Sequence, residues 1–335
     1  MLGHSKRATL NNWKNIKFGI LFRREHAPEK LAGFAKKAEQ AGFDEIWVTE
    51  DCFYAGGIAS AVVALASTST IAVGVGILPA VVRNPVFTAM EIAALARFYP
   101  GRFLPGLGHG VERWMRQIGE FPASQLTALE EVTVAMRELL AGKRVDYAGK
   151  QVKLSQAELI HPPVQIPPVY LGVRGAKSLA LSGRVADGTI LAEYSSPAYV
   201  AWARQQIQKG KQPGDERHHQ VTVFVLACAS AADEARARLR PLAAAAILSE
   251  TKDMYFAPLG ILPQVKKLRQ GKDVASLIPL IPDAWIDELA IFSTAHDWNQ
   301  SIERYVKAGA DTIVLVPLPN TGVDELDSIK ERLFQ

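Results

Sequence analysis

Apolar residues in this chain gather in short unbroken runs separated by stretches of helical periodicity. A run with no polar alternation is buried on both faces, which is the demand of a parallel sheet covered by helices. IKFGILF at residues 16–22 is the first, and the helix after it sets Leu31, Phe34, Ala35 and Ala38 on one face before closing at Gly42. DEIWVTED gives a second strand tipped with acids, and a helix over residues 58–67 leads to a third strand carrying Val73, Val75 and Ile77. Asn84 caps a helix that starts at Pro85, with Phe87, Met90, Ala94 and Phe98 on one side. Phe103 and Leu107 mark a fourth strand, which runs through Gly106, Gly108 and Gly110.

The same grammar continues. Residues 124–142 read as a helix with Leu129, Val132, Met136 and Leu140 inward, and residues 144–154 as a hairpin turning at Ala148-Gly149. Strands follow at 169–173, in VADGTILA, at 221–227 and at 312–317, with a helical insertion over about 231–291 before the last. AGFDEIWV, VADGTILA and AGADTIVLV each place an Asp directly before a buried strand, an echo that points to one repeated αβ unit. Eight strands alternating with helices, and no GxGxxG after the first, predict an α/β chain folded as a (β/α)8 TIM barrel over residues 16–335.

Composition narrows the function. The 38 basic and 34 acidic residues leave a net charge of +4 without long runs, which argues against nucleic acid as a partner and leaves a small-molecule substrate. Two distant cysteines exclude a disulfide framework and suit a cytoplasmic protein. Residues 1–15 carry basic groups with no apolar run behind them, so they read as a tail and not a signal peptide. No apolar stretch of about twenty residues crosses a membrane.

In such barrels chemistry sits at the carboxyl ends of the strands. Those positions here include Arg23 and Arg24, Glu50 and Asp51, Arg83 and Asn84, His109, Arg174 and Gly175, Glu193 and Tyr194, Cys228, Pro319 and Asn320. Val173, Arg174, Gly175 and Ala176 precede a helix, so free N–H groups and two cations make either a phosphate site or an ordinary glycine turn with solvated charges. His109, between two glycines, is placed either to exchange a proton with a bound ring or to sit exposed. Glu50 and Asp51 diverge at a strand tip, as acid, ring anchor or helix cap. The histidines lack metal-ligand spacing and no GxSxG elbow appears, leaving a pocket suited to a cofactor that does the hard step.

WVTED, VGVGILP, RNP, YPGRF and GLGHG, with PPVYLGVRGAKSLALSGRVADGTIL and YVKAGADTIVLVP further on, resemble the bacterial luciferase-like superfamily. Within it they are most similar to the coenzyme F-420-dependent branch typified by methylenetetrahydromethanopterin reductase. The resemblance implies a homodimer and a deazaflavin ring lying at the strand ends. It also implies a non-prolyl cis peptide mapping to Gly76-Ile77, phosphate contacts on Val173 to Ala176, and ring-edge contacts from Glu50 and Asp51. Gly76, Ile77, Asn84, Gly108, Gly110, Val173, Arg174, Gly175 and Ala176 are then the cofactor-binding candidates. His109, Glu50, Asp51 and Glu193 are the candidate proton carriers, and no metal is implied. The activity implied is hydride transfer between coenzyme F-420 and an unsaturated, imine or carbonyl carbon, in either direction. An FMN-dependent monooxygenase and a catalytically silent flavin-binding paralogue are the alternatives. Glu50-Asp51 and Val111 stand where the similar sugar-phosphate dehydrogenases carry Asp-His and Glu, and Pro105 interrupts strand four.

Overall fold

The computed structural model describes residues 15–293, 295–319 and 325–334. All but the last residue of the tail assigned to 1–15, and Asn320 among the strand-tip candidates, lie outside them. The described chain packs as two compact units, one of residues 19–190 and 206–220, the other of the described residues within 15–18, 191–205 and 221–334.

The first unit takes in most of β1 (Lys17–Leu21), α1 (Leu31–Ala41), β2 (Glu45–Val48), α2 (Gly57–Ala66), β3 (Ala72–Pro79), α3 (Pro85–Phe98) and β4 (Phe103–Gly108). It continues through α4 (Glu112–Gln117), α5 (Gln125–Leu140), the antiparallel pair β5 (Val145–Ala148) and β6 (Lys153–Ala157), β7 (Tyr170–Gly172), α6 (Ala176–Val185) and β8 (Gly188–Leu191). Val73, Val75, Phe103 and Leu107 are fully buried, as unalternating strands require. Asn84 caps α3 through its side chain, which accepts the Val86 N–H at 2.9 Å. The side of α3 carrying Phe87, Met90 and Phe98 faces outward, however, because Ala89, Ile92, Ala93 and Ala96 make the inner face. Small residues bring this helix close to the sheet, and bulk is left outside.

The second unit carries α7 (Pro197–Gly210) in part, β9 (Gln220–Cys228), α8 (Ala232–Leu248), the short helices α9 (Asp253–Phe256), α10 (Leu262–Arg269), α11 (Val274–Leu277) and α12 (Asp283–Asp287), then β10 (Ala290–Phe292), α13 (Ala295–Lys307), β11 (Thr312–Pro317) and α14 (Glu325–Phe334). The expectation of a wholly helical stretch up to residue 291 is corrected at its end, where Ala290–Phe292 pairs in parallel with β9. Three residues are too few to show a period of two in the sequence.

Parallel neighbours run β1, β2, β3, β4, β7, β8, β9 and β11, and β11 returns to β1. These eight strands form a closed (β/α)8 barrel, with β10 as an extra strand on β9. The ladder between β3 and β4 breaks once, between Val75 and Leu78, where the Gly76-Ile77 peptide is cis. Pro105 pairs with Val75 just before that break, and β4 meets β7 only from Gly106 onward. The strand therefore places its proline at an interruption of pairing, where a missing N–H is tolerated.

The Asp echo has a shared physical basis in its last two members. Asp187, before β8, accepts from the Val169 N–H at 2.9 Å and binds Arg137 of α5 through both oxygens. Asp311, before β11, accepts from the Val221 N–H at 2.7 Å and binds Arg204 of α7, whose Nε also reaches the Gly309 carbonyl at 2.7 Å. Each carboxylate ties a neighbouring strand's start to a helix. No helix among the described residues is long and apolar enough to cross a membrane.

Candidate active site

The candidate residues of the first unit stand at the ends of β2, β3, β4 and β7. Glu50 follows β2, and its carboxylate is fully engaged. Arg83 grips both oxygens, one of them at 2.8 Å, and the Gly57 N–H at the start of α2 donates to Oε2 at 2.8 Å. The hydrogen bonds and charge of Glu50 hold the Arg83 guanidinium above its ordinary value against its burial, and Glu91 lies 3.6 Å from Arg83 Nε. Glu50 thus works as the helix cap of the sequence reading and as a clamp on the loop after β3.

Asp51 turns the other way. It accepts from Arg24 Nη1 at 2.7 Å, and the Arg24 guanidinium lies 5.0 Å from the Tyr54 ring centre and 5.4 Å from that of Trp114. Burial opposes the Arg24 charge, but Asp51 and Glu25 outweigh it and raise the guanidinium. Beside this group Phe53 is exposed and holds φ 74°, a left-handed conformation that an aromatic residue seldom adopts.

At the break in β3 the side chain of Ile77 turns across the neighbouring strands. A Cβ on Gly172 would stand 2.3 Å from Ile77 Cγ2, and one on Gly108 2.9 Å from Ile77 Cγ1. The glycines of β4 and β7 thus admit Ile77, so much of the bare backbone read from the sequence is covered by this side chain.

His109 follows Gly108 at the tip of β4. Its Nε2 meets Ser178 Oγ of α6 at 3.0 Å, while Nδ1 is buried. Burial pushes the imidazole below its ordinary 6.5, hydrogen bonding with the Gln125 backbone opposes the shift, and the Arg174 charge adds to it. Val173 is buried, Arg174 exposed, and α6 begins after Gly175, which gives it no side-chain cap.

A model of the luciferase-like monooxygenase family matches residues 16–312. The chain belongs to that family. This luciferase-like chain is 30% identical over 304 residues to 5,10-methylenetetrahydromethanopterin reductase of Methanolobus tindarius, covering 89% of the chain and 93% of the relative. It is 25% identical over 303 residues to the F-420-dependent glucose-6-phosphate dehydrogenase of Nakamurella multipartita, covering 84% and 82%. Its fold matches the coenzyme F-420-dependent tetrahydromethanopterin reductase of Methanopyrus kandleri with a TM-score of 0.80 at 23% identity, over 95% of this chain and 98% of that one.

Among the remaining luciferase-like candidates, Asn84 spends its side-chain oxygen on capping α3, and Gly110 sits against Met115. Glu193 belongs to the second unit and is half-buried; next to it Tyr194 holds φ 75°, with the Lys252 ammonium 3.9 Å from its ring centre. Cys228 is buried, with Arg238 Nη1 at 3.2 Å from its sulfur. Sequence reasoning missed Ser178 as the partner of His109, the pairing of Glu50 with Arg83, and the Arg24 stack. These pairs lie 69, 33 and 27 or more residues apart, and no local spacing encodes them.

Proposed function

We propose that this protein is a coenzyme F-420-dependent oxidoreductase that exchanges hydride with an unsaturated, imine or carbonyl carbon of a small substrate. The observation that carries the reading is the 30% identity with a 5,10-methylenetetrahydromethanopterin reductase along nearly the whole of both chains, together with the likeness to an F-420-dependent dehydrogenase. The residues fit such a group: an uncapped helix start beside Arg174 suits its phosphate, and Ile77 with the glycines Gly76, Gly108 and Gly172 shapes an apolar backing for a flat ring. When bound, the deazaflavin supplies the hydride chemistry.

The chain's own task is positioning and proton handling. His109 is the proton carrier in this reading, since Glu50 and Asp51 are committed to Arg83 and Arg24. Burial disfavours the imidazolium, so His109, once protonated, gives its proton up readily. Glu50 holds the loop after β3 in place, and Asp51 fixes Arg24 against Tyr54 and Trp114 at the rim. Glu193 is the second proton-carrier candidate. The protein acts as a cytoplasmic homodimer in which the apolar stripe of α3, with Phe87, Met90 and Phe98 exposed by 63%, 48% and 73%, meets a second copy.

Titrating purified protein with coenzyme F-420 and, separately, with FMN tests the reading by absorbance and fluorescence. Saturable binding of F-420, followed by oxidation of its reduced form in a screen of imine, enone and carbonyl compounds, is expected. Tight FMN binding without F-420 binding would replace the proposal with a flavin monooxygenase.

A further inference from the structure

The loop from Glu50 to Gly57 borders the place where β3 breaks. A Cβ on Gly57 would stand 2.9 Å from Val75 Cγ1 and 3.3 Å from Leu78 Cδ2, the residues on either side of the break. The loop is well tied. Glu50 binds Arg83 and the Gly57 N–H, Asp51 binds Arg24, and the Tyr54 N–H donates to the Asp51 carbonyl at 3.1 Å. Arg24, which follows β1, also lies over the rings of Tyr54 and of Trp114 in the helix after β4. All of these contacts belong to neighbours of Phe53. The residue they enclose sits at φ 74° with 67% of its surface exposed.

Two costs therefore meet at one position. A left-handed backbone is unfavourable for phenylalanine and easy for asparagine or glycine, and an exposed ring leaves a large apolar surface in water. Asparagine would remove both costs. A turn that had only to join β2 to α2 would be better served by it, and backbone outliers of this kind gather at ligand sites. Phe53 also follows β2 at the end of the strand where barrel chemistry sits. It is next in the chain to Tyr54, which shares Arg24 with Trp114.

We infer that Phe53 is a specificity-determining residue whose ring stacks on a flat aromatic group carried by the substrate. The inference rests on the reading of these strand ends as the active site of an oxidoreductase. Two aromatic rings in offset or edge-on contact attract beyond the area they bury, whereas a saturated ring of the same size gains the area alone. A bound arene would cover the exposed face, and the surrounding ties already hold the loop, so little ordering remains to oppose binding.

Titrating the full chain with 2-naphthol and with decahydro-2-naphthol, its saturated counterpart, tests this by saturation-transfer NMR, which needs neither coenzyme nor turnover. Naphthol is expected to bind about three- to tenfold more tightly, the worth of one aromatic pair. Phe53→Asn and Phe53→Leu should each abolish that preference, and Phe53→Trp should keep it. Phe53→Asn should also raise the urea midpoint, because it relieves the backbone, whereas loss of a ring that merely packs the fold would lower it. In the loaded enzyme Phe53→Asn should reduce the ratio of kcat/KM for aryl over cyclohexyl carbonyl compounds by about three- to tenfold. Naphthol binding that is absent, no tighter than that of the saturated compound, or unmoved by Phe53→Asn overturns the inference, as does a lowered urea midpoint. Naphthol binding that depends on Phe53 in a protein that binds no F-420 upholds it and removes the coenzyme reading instead. Turnover of F-420 with an unmoved aryl-to-cyclohexyl ratio overturns it and leaves that reading in place.

Discussion

At the scale of single residues, the charged candidates sort by what already binds them. Glu50 and Asp51 stood out as candidates because acids end a buried strand, but the cations that bind them lie 33 and 27 residues away, which no pattern along the chain announces. His109 was legible for the same reason, a histidine between glycines at a strand tip, while its Ser178 partner was not. The folded-state depression of His109 has a consequence for stability. The native chain binds a proton there less readily than the unfolded chain, so stability is fully present above about 6.5 and falls as pH drops toward the folded value. His26, also lowered by burial and Arg23, acts with the same sign. Urea midpoints at pH 8 and 5.5 should therefore differ, and His109→Gln should reduce the difference while leaving the contribution of His26. An unchanged difference would place the acid sensitivity elsewhere.

At the scale of elements, strand positions were readable because burial on both faces writes a continuous apolar run, and helix starts because caps are local, as at Asn84. The inner face of α3 was not readable. Its pattern is apolar nearly all round, and only the close seating allowed by Ala89, Ala93 and Ala96 decides which side meets the sheet. Its outward stripe predicts that Phe98→Glu or Phe87→Glu shifts the protein toward monomer in sedimentation velocity without loss of secondary structure; a monomeric parent protein would remove the dimer proposal. The β3 break makes a second prediction. Gly172→Ala forces a Cβ against Ile77 and should cost about 1–3 kcal/mol of stability. Ile77→Ala in the same chain should recover part of that loss, so a double-mutant cycle in urea should give a clearly non-additive result.

At the scale of the whole molecule, the repeated αβ grammar was plain in the sequence, and the Asp echo was visible as a phrase without a purpose. Its purpose appeared only once Asp187 and Asp311 were each found binding an arginine from a helix and a backbone N–H from a neighbouring strand. Asp187→Asn and Asp311→Asn should each lower stability by about 1–3 kcal/mol, as expected for a charged hydrogen-bonded group, and leave the rate per folded molecule within about twofold. A loss of rate without loss of stability would contradict a structural role. These clamps stand before their strands, whereas the candidate chemistry stands after them. Selection can therefore rewrite the loops that follow the strands, trading one substrate for another, without loosening the joints that keep the chain folded. A breeder of new activities from this scaffold would do best to leave those two aspartates and their arginines alone and vary the rim around Phe53, Tyr54 and Trp114.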